Sequence, residues 1–356
     1  MSKYGILLVS GMGHQSQYWP KFANHPRCNI ICVADEQGIP EAVETKNREL
    51  AEQIGVPYVN DLDQALASAD VDVAVVCVEI ERRGPVAAKC AIAGKHLFLD
   101  KPSASTVEDA YLIATAVEEA GVKSQMMSHN NSGLGVAAKR AMVEQKVGKV
   151  IAIHGDCFMA KADVGEMPNG LVRKEHEQST ALFEPSIPNT KREMFTHAIY
   201  PMVLINQLLK PTVKKIYGMT SNYFSPSHVR VDSEDFGGVM LETENGITAT
   251  AFASRMPKDG HPLGGWNRIA LVGTDRILVF EERPSLEVFS YPDKDVSWVP
   301  VNNPDRSDNY LRDVTEFVRC IDSDNEPEVN ARAAAESVEI LLSGYISAAR
   351  RKPLNL

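Results

Sequence analysis

The chain has 356 residues, of which 44% are hydrophobic and 24% charged, and its formal net charge is −10. This length allows two domains or one large one, with a sizeable core. The negative charge argues against a nucleic-acid or anionic-membrane partner, and no apolar run approaches the roughly 20 residues that span a bilayer.

The first residues and the cysteines bear on the cellular compartment. The N-terminus leads directly into a predicted strand and a glycine turn, without the apolar region and cleavage site of a signal peptide. Six cysteines are scattered along the chain, several inside apolar runs, and none forms a CxxC pair of the metal-binding type. We therefore expect a cytoplasmic protein with buried, reduced thiols and no metal site.

The first third of the chain alternates between predicted strands and helices. Apolar, β-branched runs predict strands at 4–10, 28–34, 71–78, 96–99 and 122–127. Helical periodicity predicts helices at 41–54, 61–69, 85–93 and 105–120. Strands this apolar suit burial on both faces, and their alternation with helices implies parallel pairing. Residues 1–126 are therefore predicted to form a doubly wound parallel sheet of the Rossmann type.

The rest of the chain has a different pattern, with strands joined by tight turns such as Asn245-Gly246. We predict that residues 127–356 form an α+β domain with a large, open-faced, mostly antiparallel sheet. Helices predicted to cover one side of this sheet lie at 134–146, 193–209, 306–322 and 331–350, the last able to pack back on the first domain. Residues 161–192 are rich in proline, glycine and charge, which predicts a long functional flap.

A glycine turn follows the first predicted strand, where Gly11, Gly13 and Ser16 occupy the three positions of the dinucleotide-binding fingerprint. His14 and Gln15 complete the turn. Asp35 ends the second strand and Glu36 follows it. A carboxylate there can accept hydrogen bonds from both adenosine ribose hydroxyls and repels a 2′-phosphate. Because no arginine is adjacent, NAD is favoured over NADP; the alternative is an exposed acid at the start of a loop.

Lys101 stands at the exit of a short buried strand, in the segment GKHLFLDKPSAS. An ammonium is costly to desolvate there unless something needs it. Hydride leaves a carbinol carbon only as the hydroxyl proton leaves, and an ammonium stabilises the developing alkoxide. The alternative role for Lys101 is a structural ion pair with a carboxylate.

Glu193 and His197 lie four residues apart at the start of a predicted helix, so both face one side of it. Imidazole titrates near neutral pH and is the natural acid/base group. The histidines at 14, 129, 154, 176, 228 and 261 lack such a partner in the sequence and are expected to be structural.

These segments resemble the glucose–fructose oxidoreductase/inositol dehydrogenase (Gfo/Idh/MocA) family over nearly the whole chain. The segment ending in Asp100-Lys101-Pro102 is the most specific, because the family typically carries Glu-Lys-Pro there. The resemblance implies that Lys101 contacts the substrate hydroxyl or carbonyl, that Pro102 follows a cis peptide, and that the nicotinamide lies across the C-terminal edge of the sheet. Val78, Asp100 and Lys101 join the predicted cofactor-binding residues.

The chain also departs from the family. The family pattern Asp-x-Gly-x-His-x-x-Asp is replaced here by Glu193, Phe195, His197 and Tyr200. After the fifth strand, SHNNSGLG replaces an aromatic–Arg pair. His129 and its two neighbours there could contact the nicotinamide ribose or a substrate hydroxyl. The predicted catalytic residues are Lys101, His197 and Glu193; the predicted substrate-binding residues are Lys101, Asn130, Asn131, Glu193, His197 and Tyr200.

The resemblance implies an NAD-dependent dehydrogenase that acts on the CH–OH group of a sugar, polyol or sugar derivative, and a homodimer or homotetramer. One alternative on the same fold holds NAD tightly and cleaves or epimerises a sugar through a transient keto intermediate, without net NADH. A second alternative is a non-catalytic regulator that senses NAD or a sugar, with ligand-dependent partner binding and no turnover.

Overall fold

The computed structural model describes residues 3–128, 130–162, 192–210, 212–230, 233–258, 264–282, 286–291 and 307–356. Nearly all of the predicted flap at 161–192 lies outside these residues, as do His129, His176 and His261. Two compact units are present: Met1–Met127 with Ser307–Glu336, and Ser128–Arg306 with Ser337–Leu356. The boundary predicted after residue 126 stays a prediction.

The described strands of the first unit form one parallel sheet. They are β1 Tyr4–Val9, β2 Cys28–Ala34, β3 Tyr58–Val59, β4 Val73–Val76, β5 His96–Leu99 and β6 Ser124–Met126. Their order is β3-β2-β1-β4-β5-β6, and each neighbouring pair is parallel. Every residue of β4 is buried, as the uniformly apolar run predicted. The Rossmann-type prediction is confirmed.

The helices between these strands are α1 Gln15–Asn24, α2 Glu41–Ile54, α3 Leu62–Leu66, α4 Ile80–Ile92 and α5 Val107–Ala120. Helix α4 starts five residues before the predicted start at Pro85, which lies inside the helix. Helix α5 is capped by Thr106, whose hydroxyl accepts the Asp109 N–H at 3.1 Å. The predicted helices are present, and the errors concern their ends.

The second unit contains a mixed sheet. Its described strands are β7 Val150–Ala162, β8 Val213–Ser221, β9 Phe236–Thr243, β10 Thr248–Pro257, β11 Gly265–Gly273, β12 Ile277–Glu282, β13 Leu286–Tyr291 and β14 Leu354–Asn355. Their order is β13-β12-β11-β7-β10-β9-β8-β14. Strands β7 and β10 pair in parallel, and the other described pairs are antiparallel. The prediction of a mostly antiparallel sheet is confirmed.

The remaining helices are α6 Gly133–Val143, α7 Glu193–His197, α8 Ile199–Leu209, α9 Pro226–Arg230, α10 Ser307–Asp322 and α11 Ala331–Arg350. The single helix predicted at 193–209 is two helices, which meet at Ala198. Helix α8 packs so closely on β7 that a Cβ at Gly155 would collide with Pro201. Helix α7 contacts β9 and β10. The sheet thereby positions the short helix α7, which contains two of the predicted catalytic residues.

Helix α10 packs against α1 within the first unit, with the Tyr18 and Tyr310 ring centroids 5.7 Å apart.

In the described parts of the chain, every helix is too short or too polar to cross a membrane.

Candidate functional site

The predicted site residues fall into two sets, one in each compact unit, and each set is described by itself. The first set begins at the turn between β1 and α1. The Gly11 N–H donates to Asn47 Oδ1 at 2.6 Å, and a Cβ on Gly11 would lie 3.1 Å from the Lys46 carbonyl oxygen. Gly13 has a φ of +55°, and a Cβ there would collide with a carboxylate oxygen of Asp100. The turn therefore requires glycine at position 13, whereas a Cβ at position 11 would make a tight contact with the Lys46 carbonyl.

The side-chain amide of Gln15 tests whether this turn fits a dinucleotide. Gln15 is fully buried, and neither its amide oxygen nor its amide nitrogen has a hydrogen-bond partner among the described residues. A buried amide without partners is costly, so a ligand group is expected to satisfy it. Gln15 is the first residue of α1, at the place where a Rossmann domain binds pyrophosphate. Gly11, Gly13 and Gln15 thus fit a bound NAD; Ser16, the next residue of α1, is exposed.

Asp35 lies just beyond β2 and is fully buried. Its carboxylate accepts the Glu36 N–H at 2.8 Å and the Asn47 amide at 3.0 Å. The two terminal nitrogens of Arg82 donate to the remaining acceptor positions at 3.1 and 3.4 Å. Arg82 also donates to Glu36 at 3.2 Å and to Glu79 at 2.6 Å. No arginine neighbours Asp35 along the chain, but Arg82, near the start of α4, reaches it from 47 residues away.

Asp100 joins the glycine turn to the lysine segment. One oxygen accepts from Tyr18 Oη at 2.7 Å and the Lys101 N–H at 2.8 Å, and it lies 2.8 Å from His14 Nδ1. Arg83 donates to the other oxygen at 3.3 Å. Burial opposes ionisation of this carboxyl, but His14 and Arg83 hold its pKa well below its usual range. His14 therefore has a carboxylate partner 86 residues away, which its place in the sequence does not indicate.

Arg83 holds the backbone on either side of Lys101. Its buried guanidinium donates to the carbonyl oxygens of Val78 at 2.9 Å, of Asp100 at 3.2 Å and of Pro102. The Lys101 side chain is buried, and the Lys101–Pro102 peptide is cis, as the resemblance implied. The end of β4 and the segment after β5 are thereby tied together around the lysine.

The second set of residues surrounds Glu193, the first residue of α7, which is fully buried. Its Oε2 lies 2.7 Å from His197 Nδ1. Its Oε1 accepts from Arg255 Nε at 2.6 Å and lies 3.1 Å from His228 Nε2. Burial opposes ionisation of Glu193, but His197, His228 and Arg255 together hold its pKa well below its usual value. The Nδ1–Oε2 contact is an ion-pair distance outside hydrogen-bond geometry, and Nδ1 also lies 3.1 Å from Thr196 Oγ1. A lone pair on Nδ1 would be repelled by a carboxylate oxygen at 2.7 Å, because an ionised carboxylate can only accept. The hydrogen of the neutral His197 ring is therefore assigned to Nδ1, which leaves Nε2 as the basic nitrogen.

His228 was expected to be structural; the structure pairs it with Glu193, 35 residues away. The other predicted substrate-binding residues lie in the same unit. The Tyr200 ring centroid is 6.5 Å from that of His197. Asn130 is fully buried and its N–H donates to Ser128 Oγ at 3.2 Å, and Asn131 follows it with partial exposure.

A second buried acid holds the start of α7. Glu234 Oε1 accepts from the hydroxyl of Tyr345 at 2.5 Å and from the Met194 N–H at 3.1 Å. The Tyr345 oxygen in turn accepts the Phe195 N–H at 3.1 Å. These two N–H groups belong to the first turn of α7, where no partner exists within the helix. Arg192 lies 3.8 Å from the other oxygen of Glu234.

In the described residues no group of three or more His, Cys, Asp or Glu could hold a metal ion.

Comparison with protein families gives matches over most of the chain. The oxidoreductase family with an NAD-binding Rossmann fold matches residues 5–128, and the Gfo/Idh/MocA C-terminal domain matches residues 136–279. The chain belongs to the Gfo/Idh/MocA oxidoreductase family. The resemblance stated from the sequence is confirmed, and so is NAD as the cofactor of the first domain.

Similar proteins within the Gfo/Idh/MocA family include characterised dehydrogenases. D-xylose dehydrogenase of Paenarthrobacter nicotinovorans is 30% identical over 138 residues, which are 37% of this chain and 36% of that protein. The scyllo-inositol 2-dehydrogenase (NAD(+)) of Bacillus subtilis strain 168 is 20% identical over 354 residues, 98% of this chain and 95% of that protein. A probable dehydrogenase from Thermotoga maritima has a TM-score of 0.77 at 14% identity, covering 99% of this chain and 98% of that one. At that identity the structural likeness shows the fold.

In this Gfo/Idh/MocA chain, Glu234 makes stability depend on pH. Burial raises the pKa of its carboxyl from 4.5 to about 7, against the lowering effects of Arg192 and of the hydrogen bond from Tyr345. The folded state therefore keeps a proton that the unfolded chain has released, so stability falls as pH rises through this window, by roughly 3 kcal/mol in total. Glu234→Gln keeps an acceptor for Tyr345 and Met194 but cannot ionise. We expect the variant to be more stable than the wild type at about pH 8 and similar at about pH 5 in urea unfolding. Parallel pH dependences of the two proteins would contradict this.

Proposed function

We propose that the protein is an NAD-dependent dehydrogenase that transfers hydride between the nicotinamide and a hydroxyl or carbonyl carbon of a sugar, polyol or sugar derivative. The observation that carries the proposal is the buried Glu193–His197 pair, with 2.7 Å between Oε2 and Nδ1. It supplies an oriented imidazole in a chain whose other unit is an NAD-binding domain. The names of the two dehydrogenase relatives, which specify D-xylose and scyllo-inositol, support a polyhydroxylated substrate.

The roles of the residues follow from their chemistry. When bound, NAD+ supplies the hydride acceptor. The ammonium of Lys101 stabilises negative charge on the reacting oxygen as its proton leaves. Nε2 of His197 accepts that proton, and Glu193 keeps the ring in the tautomer that allows it. Because Glu193 is fully buried and its oxygens face His197, His228 and Arg255, its role is to orient the imidazole rather than to bind a substrate hydroxyl.

Tyr200 and the two asparagines are proposed to bind further substrate hydroxyls. A site built from hydrogen-bonding groups discriminates against analogues that lack a hydroxyl, because its own polar groups would then be left unpaired. This fits a sugar or polyol better than a simple alcohol.

The proposal is tested by following NADH absorbance with the purified protein, NAD+ and a panel of inositols, aldoses, sugar acids and glycosides. Turnover of a member of this panel with net NADH formation supports it. Conversion of a sugar with retained NAD and no net NADH would instead support redox-neutral chemistry. Ligand-dependent partner binding without any conversion would support a sensor.

We further propose that the protein prefers NAD(H) to NADP(H). Arg82 could pair with a 2′-phosphate, but three carboxylates already surround it, at 3.1 Å from Asp35, 3.2 Å from Glu36 and 2.6 Å from Glu79. The acids outnumber the arginine, so a 2′-phosphate meets net negative charge.

In titrations at fixed salt, we expect NAD+ to bind at least about tenfold more tightly than NADP+. Asp35→Ala is expected to reduce this difference in affinity between NAD+ and NADP+, mainly by weakening NAD+ binding, because it removes the acceptor for the ribose hydroxyls. Equal dissociation constants for the two cofactors in the wild type would refute the preference.

A reducing, cytoplasmic location and a homo-oligomeric state remain proposals. All six cysteines are buried thiols, which suits a reducing compartment. Strands β8 and β9 expose the apolar side chains of the register partners Tyr217 and Met240, and an apolar pair on a sheet face suits a contact with a second copy of the chain, as in a homodimer or homotetramer.

A further inference from the structure

Three elements that are distant in the sequence converge on one carboxylate. Helix α7 contributes Glu193 and His197, α9 contributes His228, and β10 contributes Arg255. The two oxygens of Glu193 have different neighbours: His228 Nε2 and Arg255 Nε lie 3.1 and 2.6 Å from Oε1, while His197 Nδ1 lies 2.7 Å from Oε2. The donors on Oε1 therefore determine how the carboxylate is turned, and with it where Oε2 meets His197.

The His228 ring is itself held on its second nitrogen. Nδ1 lies 2.7 Å from the hydroxyl oxygen of Ser225. The carboxylate of Asp235, which is fully buried, accepts the Ser225 N–H at 2.7 Å and the preceding two backbone N–H groups at 2.8 Å each. Because Glu193 can only accept, the hydrogen of the neutral His228 ring is on Nε2, and the Ser225 hydroxyl donates to Nδ1. The orientation and tautomer of His228 are thus both fixed.

We propose that His228 is a positioning residue of the dehydrogenase reaction: by donating to Oε1 of Glu193 it fixes the carboxylate that holds His197 as the Nδ1–H tautomer, with Nε2 ready to accept the substrate proton. This inference rests on the proposed function of His197. It adds to that function a second histidine, which does not touch substrate and acts through Glu193.

Stability alone is a weak reason for this arrangement. Buried ion pairs lose so much solvation that well-packed apolar residues of similar volume are often at least as stabilising. Here one buried carboxylate is surrounded by two imidazoles and a guanidinium, although a single donor would satisfy each oxygen. The extra donor restricts the carboxylate to one orientation, which is what a general base needs, since misplacement by about 1 Å can cost about 10²-fold in rate.

The test compares His228→Gln, whose amide can still donate to Oε1, with His228→Leu, which has similar bulk and no donor. His154→Gln is the matched control, because His154 is in the same unit and its Nδ1 lies 2.9 Å from Thr250 Oγ1. With the best substrate from the panel, we expect His228→Leu to lower kcat at least about tenfold with little change in the KM for NAD+. His228→Gln is expected to restore most of kcat, and His154→Gln to match the wild type.

A second readout needs neither substrate nor cofactor. In ¹⁵N-labelled protein, the nitrogen shifts of the neutral His197 ring report its tautomer. We expect the Nδ1–H form in the wild type and in His228→Gln, and a mixture of tautomers in His228→Leu. Wild-type kcat together with an unchanged His197 tautomer in His228→Leu would overturn the inference. If no sugar is oxidised by the wild type, the proposed function fails, while the tautomer measurement still decides whether His228 positions His197.

Discussion

Lys101→Met is expected to lower turnover by about 10²-fold or more, the usual scale for loss of a positioned proton-transfer group. Methionine keeps a long apolar stem but removes the charge and all three donors. The backbone around position 101 is held by other groups: Asp100 accepts the N–H of residue 101 at 2.8 Å, and Arg83 donates to the carbonyls of Asp100 and Pro102. Folding and NAD+ binding are therefore expected to survive, and kcat measured at saturating substrate checks the loss.

Lys123→Met is the matched control for this exchange. Lys123 lies in the same unit and pairs with Glu326 at 2.7 Å and Asp324 at 3.1 Å, two acids on the surface. Such pairs contribute little to stability, so turnover is expected to stay at the wild-type level. Near-native turnover of Lys101→Met together with a lowered unfolding midpoint would show that Lys101 is only part of a structural ion pair.

His197→Ala is expected to lower the rate of oxidation by a similar factor of about 10², because it removes the proposed base for the substrate proton. The acid limb of the pH–rate profile is also expected to disappear, since oxidation needs an unprotonated imidazole and the variant has none at this position. The rate profile from acid to alkaline pH, measured for wild type and variant with one substrate, checks both effects. His154→Ala serves as control, because His154 is exposed on β7.

The double variant Lys101→Met/His197→Ala examines whether the two residues act on the same step. Groups that act as a unit show losses that are less than additive. A fully additive loss would indicate that Lys101 and His197 serve separate steps. Retained activity in His197→Ala with an intact acid limb would remove His197 from the mechanism.

The first sheet could be predicted because its signal is local. Each strand is a short apolar run, and the helices between them show their own periodicity, so element type and parallel pairing follow from the sequence. Strand β3 was missed because its two residues, Tyr58 and Val59, are too few to show a period. The predicted start of helix α4 is too late in the chain, because proline favours the first turn of a helix, whereas Pro85 lies in the second turn. Helix α9, with five residues, gave no signal of its own.

The candidate site could be predicted where a contact follows from spacing along one element. Glu193 and His197 are one helical turn apart, and the structure brings them to 2.7 Å. Arg82 and His228 were missed because their partners lie 47 and 35 residues away. Those contacts form only because the fold brings the start of α4 within reach of the end of β2, and α7 within reach of α9 and β10. The sequence around a single arginine or histidine does not predict such long-range contacts.

The collision that a Cβ on Gly13 would have with Asp100 matters for engineering of the cofactor turn. The carboxylate that demands glycine at position 13 also accepts the N–H of Lys101, so the turn and the lysine segment are not separable modules. A turn grafted from another dinucleotide-binding domain with a side chain at this position would displace Asp100 and, with it, the backbone that carries the lysine. Libraries meant to change cofactor choice should therefore vary residue 100 together with residues 11–16, because varying the turn alone would alter turnover as well as binding.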